Sequence, residues 1–98
     1  MVAVLHEAGW PEELHEDALA IAWCESRWRV NAVGDRGAAV GAWQVHVYDT
    51  AWAPLVAAAG GDIWDPVQQA AVALRIYEIR GRFGGWGGWT CASRVGAW

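Results

Sequence analysis

The chain has 98 residues, enough for one domain with one hydrophobic core and too few for two. It is 55% hydrophobic and 18% charged, which excludes a disordered chain, and its net charge of −4, with arginine as the sole basic type, argues against a nucleic-acid binder. The longest apolar run, residues 18–24, falls short of the ~18–20 residues of a membrane span, and Glu7, Glu12, Glu13, Glu16 and Asp17 come too early for a secretory signal.

The spacing predicts a short helix over residues 2–8, ended by Gly9. Pro11 suits the first turn of a second helix, where its missing N–H is not needed. Glu12 and Glu13 favour the positive end of that helix. The strongest periodicity runs over residues 15–28. There Leu14, Ala18, Ile21 and Ala22 form one stripe, and Leu19 and Trp23 widen it. Residues 18–24 are apolar all round, so this helix is expected to be central and enclosed.

Residues 30–47 change character. Asn31, Gly34, Asp35, Arg36, Gly37 and Gly41 are turn formers. The short apolar pieces between them suit a loop or small hairpin. Asp49 or Thr50 is positioned to cap a helix through Ala59, which Pro54 would break or restart. Gly60-Gly61 ends it. Asp65-Pro66 is an N-cap followed by a first-turn proline, and predicts a helix over residues 66–80. Five glycines between residues 81 and 88 make the remainder loop-like, anchored by Trp86, Trp89 and Cys91. With no repeat and no linker, residues 1–98 read as a single domain. Its expected class is mainly α, with at most a small β part.

Nine tryptophans are unusual in a chain of this size and suit flat, amphipathic ligands such as sugar rings. Glu25 does not fit its surroundings. It directly follows the enclosed apolar run and lies near the negative end of its helix. Both features raise a carboxyl pKa, and Trp28 is placed to add an apolar wall. A carboxylic acid held protonated suits a general acid. The competing reading is a solvated residue paired with Arg27 or Arg29. Cys24 and Cys91 are either two buried thiols or one bridge closing a loop of about 67 residues. No metal site is expected. His6-Glu7 and His15-Glu16 lack the second histidine of a zinc-helix motif, and the three histidines are scattered. Ser26 and Ser93 sit in no nucleophile elbow.

Several segments, taken in order, resemble the lysozyme-like lytic transglycosylase superfamily. They are Ala18-Leu19-Ala20-Ile21-Ala22-Trp23-Cys24-Glu25-Ser26, Asn31-Ala32-Val33-Gly34-Asp35, Gly41-Ala42-Trp43-Gln44-Val45-His46, and Asp65-Pro66 with Gln69-Ala70-Ala71. The close, Gly85-Trp86-Gly87-Gly88-Trp89-Thr90-Cys91, is similar to that of resuscitation-promoting factor domains, which also carry Cys-Glu-Ser. The resemblance covers roughly residues 14–93.

It implies a compact lysozyme-like helical domain that cleaves peptidoglycan glycan strands, working as a monomer without cofactor. Glu25 would act as acid and then base, and Gln44 would bond the glycan from the cleft wall. Trp43 and His46 would flank it, and Ser26 would orient the helix end. Trp86 and Trp89 would stack on sugars or close the core. Tyr77 is the one tyrosine near the place of the family's Ala-Tyr-Asn motif and joins the substrate-binding candidates. Cys24 and Cys91 would pair. A lysozyme needs a second carboxylate, for which Asp35 and Asp49 are available. A transglycosylase needs none, and the reading leans to the single glutamate. The place of action would be extracellular, at a cell wall or in a phage lysis system. The alternative is a wall-glycan-binding module that does not cut.

Overall fold

A computed structural model describes all 98 residues in five helices and a small three-stranded sheet, 51% helix and 6% strand. The class is mainly α with a small β part.

Helix α1 (Val2–Ala8) stops where expected. Gly9 takes a left-handed conformation at φ 92°, and the Trp10 N–H returns to the Leu5 carbonyl at 3.0 Å. A tight turn over Glu12–Leu14 then leads into α2 (His15–Ser26). Pro11 precedes that turn as its cap rather than sitting in its first position.

Helix α2 ends at Ser26, two residues earlier than the periodicity predicts. Arg27 and Trp28 both adopt left-handed backbone, at φ 58° and 63°. The reversal folds Trp28 back along the outside of α2. Its indole N–H donates to the Leu19 carbonyl at 2.8 Å, and its ring meets Trp23 edge-on at 4.9 Å. The Arg27 guanidinium lies 5.0 Å from the Trp23 ring. The helix is therefore not enclosed all round. Ala18, Ile21, Ala22 and Ser26 face the interior, whereas Trp23 remains exposed. The apolar run overstates burial because its outer face is covered by Trp28 alone.

Strands β1 (Val33–Gly34), β2 (Ala39–Val40) and β3 (Val45–His46) pair antiparallel in that order. Val40 faces Val33 on one side and Val45 on the other. Helix α3 (Ala53–Ala58) carries Pro54 in its first turn, so the proline starts the helix rather than breaking it. Asp49 does not cap that helix; its carboxylate closes a local turn by accepting the Ala51 N–H at 2.7 Å.

Helix α4 (Pro66–Arg80) begins as predicted, with Asp65 accepting the Gln68 N–H at 2.9 Å. Both α1 and α3 pack on α4. Leu5, Ile21 and Trp43 are fully buried, and Trp10 and Trp89 nearly so. Each buried indole N–H finds a carbonyl: Trp10 on Ala70, Trp43 on Ala18 and Trp89 on Trp43, at 2.8, 3.0 and 2.8 Å. These bonds satisfy the one polar group that burial of a tryptophan would otherwise strand. Helix α5 (Cys91–Arg94) is a single turn, tied to α2 by the Cys24–Cys91 disulfide with Cα atoms 6.0 Å apart.

Gln69 holds the interior's polar junction. Its amide oxygen accepts the Ala42 N–H at 3.0 Å, and its nitrogen donates to the Val30 and Ile63 carbonyls, each at 2.8 Å. Gly41 packs flat on this amide at φ 85°, where a Cβ would collide with it. Gln69→Leu leaves three backbone groups without their partner. We expect a loss of about 2–3 kcal/mol, read from chemical denaturation.

Candidate functional site

The end of α2 brings Glu25 to the wall of an open cleft of about 260 Å³. Asp35, Gln44, Val45 and His46 line it from the small sheet and its turn, and Trp52 and Ile76 contribute apolar surface. Gly87, Gly88, Trp89 and Thr90 form the wall from the glycine-rich loop.

Glu25 is half-buried, and its carboxyl pKa is raised from the usual 4.5. Burial is the largest cause, and the negative charge of Asp35 adds to it. A hydrogen bond from the Cys91 backbone and the charge of Arg94 act the other way. Trp28 is not the apolar wall expected for Glu25, because it is turned onto the outer face of α2. Trp89 lines the cleft instead.

The segment after α2 is tied to the helix end through Ser26. Its hydroxyl donates to the Ala42 carbonyl at 2.8 Å and lies 3.1 Å from that of Ala22. Gln44 itself has φ 50°, and its amide nitrogen donates to the Gly41 and Ala32 carbonyls at 3.0 and 3.3 Å. The amide oxygen points toward Gly34, where any Cβ would strike it. Gly34 is therefore a packing requirement of Gln44.

His46 Nε2–H donates to Asp35 Oδ2 at 2.9 Å, so two candidates eleven residues apart in sequence meet in the cleft. Trp43 does not join them. It is buried and lines a separate apolar pocket with Val40 and Val72. The turn at residues 41–44, with left-handed backbone at Gln44, leaves Trp43 in the core while Gln44, Val45 and His46 line the cleft.

Tyr77 also lies outside the cleft, packed against Trp10 and Phe83 with ring centroids at 6.0 and 4.5 Å. Its neighbour Ile76 takes the cleft-facing position on α4. Asp49 does not line the cleft, being held in its own turn. Trp86 is 98% exposed and stands next to the cleft wall without lining it. No group of three His, Cys, Asp or Glu side chains is placed to hold a metal ion.

Sequence reasoning missed Arg80. Its guanidinium donates to the Arg82, Phe83, Gly84 and Trp86 carbonyls, gathering the glycine-rich loop around one side chain. Gly88 has no room for a Cβ against Arg80 and the Phe83 carbonyl. The available signal was a basic residue at the end of a helix, directly before a loop rich in glycine and poor in other donors. Arg80→Met is expected to cost about 2 kcal/mol, since it removes charge-assisted bonds, and to speed amide hydrogen exchange across residues 82–89.

Comparison with protein-family models, with curated proteins and with solved structures found no match. No helix is long and apolar enough to cross a membrane.

Proposed function

We propose that this chain cleaves peptidoglycan glycan strands at the β-1,4 bond between N-acetylmuramic acid and N-acetylglucosamine, with Glu25 as the general acid. The observation that carries the reading is a half-buried carboxyl with a raised pKa in the wall of an open cleft. A protonated Glu25 gives its proton to the glycosidic oxygen as the C1–O bond breaks and positive charge develops on the sugar. Gln44, fixed by its bonds to Gly41 and Ala32, forms part of the cleft wall that would receive the sugar. Trp52, Ile76 and Trp89 supply apolar surface for a sugar face.

The substrate class comes from the resemblance of the Cys24-Glu25-Ser26, Gly41–Gln44 and Trp86–Cys91 segments to lytic transglycosylases and resuscitation-promoting factor domains. The Cys24–Cys91 disulfide agrees with work outside the cytoplasm, at a cell wall or in phage lysis.

The test is digestion of purified peptidoglycan by the native chain and by Glu25→Gln, with products weighed by mass spectrometry. Soluble fragments from the native chain and none from the variant support glycan cleavage through Glu25. A chain that sediments with walls and releases nothing, at any pH tried, is a binding module.

A further inference from the structure

The cleft contains three titratable side chains, Glu25, Asp35 and His46, and glycosidic cleavage by a single glutamate uses only the first. Asp35 is built into place. It stands at φ 49°, followed by Arg36 at φ 58° and Gly37 at φ 94°, three left-handed residues in succession. Left-handed backbone is strained for a side-chain-bearing residue, and surrounding contacts must hold it. The bond from His46 Nε2 to Asp35 Oδ2 supplies one such contact and fixes the carboxylate's direction. The Asp35 side chain is 67% exposed, so bulk water reaches it, and it makes no hydrogen bond with Glu25. Asp49, the other carboxylate considered for this role, does not line the cleft.

We infer that Asp35 is the base that activates the attacking water, with His46 as its positioning residue, so that the chain is an inverting hydrolase rather than a transglycosylase. This inference rests on the glycan-cleaving reading above. Glu25 donates its proton to the leaving oxygen, which takes the electron pair of the C1–O bond. The water oxygen bonds C1 from the opposite face while one of its protons passes to the Asp35 carboxylate. The products are a free hydroxyl on the leaving sugar and a reducing-end sugar of inverted, α, configuration. Proton exchange with solvent then restores both carboxyl groups. Inverting enzymes separate their carboxyl groups by ~6.5–9.5 Å to admit this water. The same Asp35 charge that would draw the water's proton also helps to keep Glu25 protonated.

Peptide-free glycan strands are digested and the first-formed reducing ends read by proton NMR. The result expected is the α anomer. Asp35→Asn lowers kcat by ~10²–10⁴-fold with KM little changed. Asp35→Ala regains turnover in added azide and yields a glycosyl azide, which a merely structural aspartate would not do. His46→Ala lowers kcat, and His46→Gln, which keeps a donor, recovers part of the loss.

Anhydro ends, β-configured ends, or an Asp35→Asn variant as fast as the native chain each overturn the base assignment and leave glycan cleavage standing. Release of nothing by the native chain overturns both. The thermal midpoints of the Asp35 and His46 variants check that the strained turn is kept.

Discussion

Replacing Cys24 and Cys91 together by serine is expected to produce the largest stability loss of any change in this chain. The disulfide closes a loop of 67 residues. In the chain-entropy account such a loop contributes about 4 kcal/mol. In a domain of this size each kcal/mol moves the midpoint by ~4–8 °C, so the drop should be on the order of 15–30 °C. Scanning calorimetry checks it, and the native chain in reductant should behave like the double variant. A midpoint that moves by only a degree or two would show that packing alone holds the two ends together.

The disulfide also has a consequence for the cleft. Helix α5 has four residues, too few to be stable by itself, and the Cys91 backbone acts on the Glu25 carboxyl, lowering its pKa. Cys24 sits beside Glu25 on α2. The bridge thus joins two neighbours of the Glu25 carboxyl. Reduction should lower any cleavage activity at temperatures where the chain is still folded.

The parts of the fold that were legible in the sequence are those decided locally. Gly9 ends α1 because only a residue tolerant of φ 92° closes that turn, and Asp65-Pro66 opens α4 by capping chemistry contained in four residues. Glu25 was legible as a candidate because seven apolar residues lead up to it. What could not be read was whatever depends on a partner distant in sequence. The apolar run of α2 has the same pattern whether a second element or a returning Trp28 covers its outer face. Tyr77 and Ile76 are adjacent on a helix, about 100° apart around its axis, and only the packing of Trp10 and Phe83 decides which of them faces the cleft.

Trp43 was misplaced for a related reason. The Gly41–His46 segment reads as one motif, but it turns at residues 41–44, with left-handed backbone at Gly41 and Gln44, before the strand begins at Val45. Trp43 lies on the core side of that turn, its indole N–H on the Ala18 carbonyl. Conversely, the Asp35–His46 pair is invisible in a linear reading, since it needs the antiparallel pairing of Ala39 with His46 to bring the two together. Arg80 was missed because its four acceptors are backbone carbonyls, which carry no residue-type signal.

Glu25→Gln should separate the catalytic and structural consequences of one carboxyl. Loss of a general acid typically lowers rate ~10²–10⁴-fold, and the fold should survive, because glutamine has the same shape and keeps hydrogen-bonding capacity. The stability effect has a definite sign. Burial raises the Glu25 pKa in the folded chain above its unfolded value of 4.5. Below that value both states hold the proton and nothing is lost. As pH rises, the unfolded state releases its proton first, so ionisation favours unfolding until the folded pKa is passed. Glu25→Gln should therefore raise the thermal midpoint at neutral pH, and the gain should vanish below about pH 4.5.

On the proposed function, the rate depends on the same proton. kcat/KM of the native chain should fall as pH rises through the raised pKa, because the acid is lost. Two further variants fix the assignment. Asp35→Asn removes a neighbouring negative charge and should move that alkaline limb to lower pH. Arg94→Gln removes a positive charge and should move it to higher pH. Opposite displacements of one limb by two exposed charges would identify Glu25 as the titrating group. A limb that ignores both would assign the proton to another side chain.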